Sequence, residues 1–559
     1  MDHVERIDRG FCVPMNGPAS GLYYLDHFRF ALRWLDERYQ DLLSARESEF
    51  IHEFGVLPRS SQALLVRLIM RRGQRFRASK INYPEIGSIP RACGPLIELQ
   101  WVDPRPLLSI EELARLITRA ELGELFPHVQ RSLSKGQALA LLRAAQAERR
   151  SFEDWRGSVS EPVYGVAIAP LCAQLRLLFF GNFRQEWSEF VLADLGVFRY
   201  EAVPFSLESR AFHTRKDIED FYVLYECRRL LAEEAPLADV LALLPGSPLN
   251  HEWLEARRAK LKFQIARRYE LAQQRREALA LYQACDHPDA RWRAIRMLET
   301  DARYGEAHAV ACAAFQVPES HAEKQKLSRV LRRLDRRLGL PPRARKQLLR
   351  PERLDLIVPA PRAGESVEHI ARQLVAVPQA PVYYVENTLI NSLFGLLCWE
   401  AIFAPVSGAF FHAFQSAPMD LFSRTFRQRR AALFDRCLHL LESNAYQEII
   451  KHNFHAKRGI QSLCVAWGIL DEDLLDTALS CIPAAHLRHY FERLLSNLPE
   501  NRTGLPDLVQ FWIGENRYRM IEVKGPGDRL QDNQQRWMEF CMEQNLPVAI
   551  CHVHWAATA

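Results

Sequence analysis

The sequence lacks any CxxC pair and any long apolar run free of charge. Its 12 cysteines are scattered over 559 residues, which excludes a zinc knuckle or a disulfide framework and predicts a reducing compartment. No secretory leader opens the chain and no stretch is apolar enough to span a bilayer, so an intracellular protein without a membrane partner is expected. A strong net charge is missing too: 73 Lys and Arg against 68 Asp and Glu leave only +5, and the local distribution of cations must decide whether the partner is acidic. What is present, 48% hydrophobic and 25% charged residues, is ordinary for a globular protein. The length exceeds one core and predicts about three to four domains.

Residues 501–555 carry the chemistry. Leu508-Val-Gln-Phe-Trp-Ile513 and Tyr518-Arg-Met-Ile-Glu-Val-Lys524 are rich in β formers, and Gly514-Glu-Asn516 between them reads as the turn of a hairpin. Gly525-Pro-Gly527 stops the second strand, Leu530 to Gln544 has helical periodicity, and Val548 to Val553 suits a buried strand. Asp507 sits at the mouth of the first strand. Glu522 and Lys524, two apart on the second, project from one face. Carboxylates on neighbouring strands suit Mg²⁺ or Mn²⁺ through oxygen ligands, and an amine beside them can orient water and offset charge on phosphorus. The same triplet on an exposed edge strand is a surface ion pair, and the three residues alone leave both readings open. Cys551-His-Val-His554 is read as structure rather than a metal site.

The chain upstream reads as helix. Leu22 to Leu43 is amphipathic, and Gln62 to Arg77 predicts a helix whose arginines, with Lys80, form a basic edge. Ser109 to Leu122 and Ser134 to Leu142 predict two short helices. The pair is either a capped helical hairpin or a DNA-binding module with Lys135 and free helix amides facing phosphate. The aromatic segment Phe179 to Trp187 reads as packed core rather than a base-stacking platform. Ala266 to Tyr282 has the small/aromatic alternation of a tetratricopeptide-like helix pair, loosely repeated from Arg291 to Phe315. Basic clusters lie at Arg228-Arg229, at Arg257-Arg258 with Lys260 and Lys262, and at Arg329, Arg332, Arg333, Arg336 and Arg337. Each is a solvated face or a phosphate contact. Pro341-Pro342 and Pro359 to Gly364 predict a linker, and Val385 to Phe403 an apolar helix with Glu386 in its first turn.

Gly504-Leu-Pro-Asp-Leu508, Glu522-Val-Lys-Gly-Pro-Gly-Asp-Arg-Leu530, Gln534 with Trp537, and Val548 to Val553 occur in an order that resembles the virus-type replication-repair nuclease domain of the PD-(D/E)xK superfamily. With Val385 to Phe403, Phe414-Gln-Ser-Ala-Pro-Met-Asp-Leu421 and Phe426-Arg-Gln-Arg-Arg430, most of the chain resembles the Fanconi-associated nuclease family. The resemblance implies a predominantly α-helical multidomain protein with SAP-like and tetratricopeptide-like helices and a C-terminal α/β nuclease domain of αβββαβ order. It implies Glu386, Asp507 and Glu522 as carboxylate ligands of Mg²⁺ or Mn²⁺, the Val523 carbonyl as a further ligand, Lys524 as the catalytic lysine and Gln534 as its support. It also implies Arg424, Arg427, Arg429 and Arg430 on the substrate backbone. A pocket for a 5′ phosphate is expected, with Arg228 and Lys260 in its lining.

The implied activity is cleavage of 5′ flaps and branched DNA, with 5′-to-3′ exonuclease action, in interstrand crosslink repair. The domains expected are residues 1–65 (helical), 66–160 (SAP-containing), 161–370 (helical and tetratricopeptide-like) and 371–559 (nuclease). Cys12 is the only cysteine before Cys93, so no ubiquitin-binding zinc finger is expected. The short architecture suggests a bacterial, cytoplasmic, nucleoid-associated member. A Holliday-junction resolvase or restriction-type endonuclease would share the D…ExK core, and a non-catalytic DNA-binding scaffold would share the basic helices.

Overall fold

Capping boxes punctuate the chain, as helix starts require when four backbone N–H groups lack partners. Ser44 with Glu47, Ser109 with Glu112, Ser134 with Gln137 and Thr214 with Asp217 each close one. The computed structural model describes residues 21–130, 132–146, 148–156, 161–189, 197–205, 209–343, 350–358 and 365–556. The chain divides into two compact units: Met1–His213 with Phe410–Gln415, and Thr214–Ala409 with Ser416–Ala559.

Helices of the first unit, among them Tyr23–Tyr39 and Arg59–Met70, accompany a three-stranded antiparallel sheet. Its strands are β1 (Arg75–Arg77), β2 (Val102–Asp103) and β3 (Val163–Val166), in the order β1-β3-β2. The expected Gln62–Arg77 helix is corrected here. It ends at Met70, Gly73 takes a left-handed φ of 94°, and Arg75–Arg77 pairs with Val163–Gly165. Strands this short have too few residues to display alternation. The expected Ser109–Leu122 helix is two, Ile110–Leu116 and Arg119–Leu125, because Thr118 and Glu121 close a second capping box. With Lys135–Ala145 they enclose Leu113, Leu122, Phe126, Leu142 and Trp155. Phe179, Phe180 and Trp187 are buried, and His412 lies 5.8 and 5.2 Å from the two phenyl rings, so this segment is core.

In the second unit, Glu252–Leu271, Arg275–Gln283, Ala290–Thr300, Tyr304–Gln316 and His321–Arg337 pack as successive antiparallel neighbours. Buried Ala278, Ala294, Ala307 and Ala311 allow the close approach. A five-stranded mixed sheet follows, in the order β4-β8-β7-β6-β5. β5 (Val382–Tyr384), β6 (Leu508–Trp512) and β7 (Arg517–Lys524) are antiparallel, while β8 (Val548–Trp555) runs parallel to β7 and to β4 (Glu352–Val358). Helix Val367–Val375 packs on β5 and β7, and helix Asp532–Glu543 on β8.

The αβββαβ order therefore runs Val367–Val375, β5, β6, β7, Asp532–Glu543, β8. The expected domain start at 371 falls inside the first helix, and β4, upstream of it, belongs to the same sheet. The proposed linker at 359–364 lies outside the described residues. Among the described residues no helix is long and apolar enough to cross a membrane.

Candidate active site

β6 and β7 bring Asp507 and Glu522 together at the end of the sheet. Gly504, at φ 89°, makes the turn into β6, where a Cβ would meet the Asn533 backbone at 2.8 Å, so only glycine lets the strand start beneath the next helix. Asp507 is 6% exposed and its Oδ2 accepts the Val523 N–H at 2.8 Å. Glu522, with the opposite partner Ile550 on β8, is fully buried. Lys524 Nζ approaches Glu522 Oε1 at 2.8 Å and donates to Gln534 Oε1 at 3.1 Å. Gln534 Oε1 also accepts the Gln531 N–H at 2.9 Å, so the helix start fixes the amide that fixes the lysine. The sheet and the helix cap thus converge Asp507, Glu522, Lys524 and Gln534 as the motif predicts.

These carboxylates are under strain of charge. Burial raises Glu522 to about 8, with the Asp507 charge adding to it and Lys524 opposing. Burial likewise raises Asp507 to about 6, against the Val523 N–H and with Glu386 adding to it. Glu522 Oε2 has no hydrogen-bond partner among the described residues, and the ammonium against Oε1 is shared with Gln534. Two buried acids with one ammonium between them are a site whose donor set, oxygen only, fits a hard divalent cation. Among the described residues no three His, Cys, Asp or Glu side chains enclose a metal as they stand.

Glu386, the third expected ligand, is not in a helix. Its helix begins at Leu389, and Glu386 occupies the exposed turn after β5. Asn387 takes φ 52° and the Val385 N–H is committed to the Asp507 carbonyl at 2.8 Å, so the backbone there cannot continue a right-handed helix. Its charge still acts on both Asp507 and Glu522. Val523 is in the strand between the two central residues, with its N–H on Asp507.

The expected DNA contacts fare differently. Lys135 donates to the Ile117 carbonyl at 2.6 Å, just past the end of helix Ile110–Leu116, so one of its three ammonium protons ties these two helices together. Arg424 pairs with Glu319. Arg429 and Arg430 both pair with Asp420, each at 2.7 Å, and Arg430 is 2% exposed with its guanidinium 4.6 Å from the Phe426 ring. A buried, neutralised arginine cannot grip a backbone, and Arg430 is corrected to a structural role. Arg427 is exposed without an ion pair among the described residues, as are Arg228 and Lys260, which sit on the mutually packed helices Arg215–Ala232 and Glu252–Leu271.

In the first unit, a groove of about 1070 Å³ is lined by Arg71, Arg72, Arg75, Lys80, Arg115 and Arg184. None of these six pairs with a carboxylate among the described residues, and the groove's Glu112 and Glu186 are engaged by Arg149 and Arg176. The sequence marked the edge at Arg71, Arg72, Arg75 and Lys80. Arg115 and Arg184 join it only through helix Ile110–Leu116 and the loop after Phe180.

Comparison with known proteins agrees with this geometry. Family models match for the FAN1 HTH domain at 22–103, the Fanconi anemia-associated nuclease SAP domain at 107–155 and the VRR-NUC domain at 441–555. A Fanconi-associated nuclease 1 homolog of Pseudomonas aeruginosa is 51% identical over 97% of this chain and 98% of its own length. One of Arabidopsis thaliana is 24% identical over 97% of this chain and 68% of its own. The crystal structure of paFAN1 bound to 2-nucleotide 5′ flap DNA with a gap superposes with TM-score 0.92 at 50% identity, covering 98% of this chain and all of that one. A second, with a 1-nucleotide flap, gives TM-score 0.90 at 51% identity over 96% of this chain and 100% of that one. From its motifs, its sheet and these likenesses together, the chain belongs to the Fanconi-associated nuclease family.

Proposed function

We propose that this nuclease cuts the phosphodiester backbone of 5′ flaps and branched duplexes, with 5′-to-3′ exonuclease action, using Mg²⁺ or Mn²⁺ and serving interstrand crosslink repair. The observation that carries the reading is the buried Asp507–Glu522–Lys524 group, whose two raised carboxylates lack the positive charge that would balance them. Asp507, Glu522, Glu386 and the Val523 carbonyl would hold the ion, which when bound supplies a Lewis acid for the phosphate and an acidified water.

The chain's own residues do the rest. Lys524, steered by Gln534 at 3.1 Å and by Glu522 at 2.8 Å, presents positive charge where negative charge builds on phosphorus, and orients the attacking water. Asp507 is fixed by the Val523 N–H and so cannot turn away from Glu522. The cations of the first-unit groove, which have no carboxylate partner among the described residues, suit phosphate, a contact that reads backbone shape and carries no sequence information. Arg228, Lys260 and Arg427, exposed and unpaired among the described residues, remain proposed backbone contacts. The 5′ flap DNA held by paFAN1 supports the substrate class. The expected domains 1–65, 66–160, 161–370 and 371–559 need redrawing: position 65 falls inside helix Arg59–Met70, β3 shares a sheet with β1 and β2, and the last boundary moves upstream to include β4.

Cleavage of 5′-flap, nicked, splayed-arm and four-way-junction DNA with Mn²⁺, by the wild-type and Lys524→Ala proteins, tests this. Flap cutting that is lost in the variant supports the reading; preference for four-way junctions overturns it.

A further inference from the structure

Glu386 is the exposed member of the expected ligand set, and an exposed glutamate ordinarily samples many rotamers. Here two neighbours hold it. Tyr384 ends β5 opposite Leu508, the residue that follows Asp507, and its hydroxyl donates to Glu386 Oε2 at 2.6 Å. Asn387 Nδ2 donates to Glu386 Oε1 at 3.2 Å, while Asn387 Oδ1 accepts the Leu505 N–H at 3.1 Å. Leu505 and Pro506 lead straight into Asp507. The Asn387 carbonyl accepts Asn391 Nδ2 at 2.7 Å, and the same amide reaches the Arg502 carbonyl at 2.8 Å. The left-handed φ of Asn387 is what turns its side chain back along this path, a conformation asparagine tolerates better than most residues. One side chain therefore bridges Glu386 to the segment that delivers Asp507.

We propose that Tyr384 and Asn387 are positioning residues for Glu386, holding its carboxylate in register with the Asp507 strand so that a divalent ion meets an already ordered third ligand. The inference rests on the proposed ligand role of Glu386. A carboxylate oxygen that accepts one hydrogen bond keeps a lone pair for a cation, so the tyrosine hydroxyl and the ion do not compete for the whole group. Hydrogen-bond partners of this kind, one step out from the metal, set affinity as well as orientation. Neither residue is assigned contact with substrate.

The test is calorimetric titration of Mn²⁺ into the full-length protein, wild type against Tyr384→Phe, Asn387→Gly and Glu386→Gln, with flap cleavage followed against Mn²⁺ concentration. Tyr384→Phe removes one exposed hydroxyl and nothing from the core. It is expected to weaken Mn²⁺ by roughly 10- to 100-fold, to raise the half-saturating Mn²⁺ concentration for cleavage, and to recover the wild-type rate at saturation. Flap affinity in EDTA is expected to stay unchanged. Unaltered Mn²⁺ affinity in Tyr384→Phe, with Glu386→Gln weakened, overturns the positioning role alone. Unaltered affinity in Glu386→Gln removes the ligand reading on which it stands. Weakened flap binding by Tyr384→Phe in EDTA makes Tyr384 a substrate contact and also overturns the proposal.

Discussion

Two regions of this molecule carry charge that the fold leaves unbalanced, and they are opposite in sign. At the end of the nuclease sheet, Asp507 and Glu522 are buried around one ammonium. In the first-unit groove, Arg72, Lys80, Arg115 and Arg184 line a cavity without a carboxylate partner among the described residues. At other places the charges cancel: Arg333 with Glu299, Arg329 with Asp532, Arg430 with Asp420. The density of arginine along the sequence says little about function. Whether the fold supplies the counter-charge says much more, because an ion that already has its partner offers little to a ligand.

The contrast breaks most visibly by removing the acidic region. Asp507→Ala, Glu522→Ala or Lys524→Ala is expected to lower flap cleavage by at least about 10²- to 10³-fold with flap affinity in EDTA intact, and single-turnover kinetics with parallel binding curves check it. Arg430→Ala sharpens the comparison from the cancelled side. It leaves Asp420 with the more exposed Arg429 alone and is expected to cost up to about 3–5 kcal/mol in denaturant unfolding, with DNA affinity of the folded protein unchanged.

Neutralising the basic region with Arg72→Gln, Lys80→Gln and Arg115→Gln together is expected to weaken flap binding and flatten its log-affinity against log-salt slope by about 3, near 0.9 per lost contact. Arg424→Gln, whose charge is spent on Glu319, should leave that slope unaltered.

The smallest effect is one of pH. Burial raises Glu522 from 4.5 to about 8 and Asp507 from 3.8 to about 6, so between those values the metal-free folded state holds protons that the unfolded chain has released. Stability therefore falls as pH rises across that window. Thermal melts in EDTA should show Glu522→Gln gaining on wild type by a few degrees from about pH 5 to about pH 8, and added Mn²⁺ should restore the wild type.

The chemistry was legible because it is local. Glu522 and Lys524 share a face by strand alternation, Gln534 follows one helix start later, and glycines mark the turns. Glu386 reads as helical because Val385 to Phe403 is mostly apolar, whereas a left-handed Asn387 and the Val385 N–H bond to the Asp507 carbonyl delay the helix to Leu389. The three-stranded sheet of the first unit escaped because β1, β2 and β3 are too short to show a period. The ion pairs of the arginines are illegible in the sequence for a related reason: Arg424 finds Glu319 and Arg329 finds Asp532 across long stretches of chain that no window spans.

The central proposal is that Asp507 and Glu522 are oxygen ligands of a divalent cation. Calorimetric titration of Mn²⁺ into the wild-type, Asp507→Ala and Glu522→Ala proteins addresses it most directly. The account predicts saturable binding by the wild type that is lost in both variants; binding of equal strength in all three would contradict it.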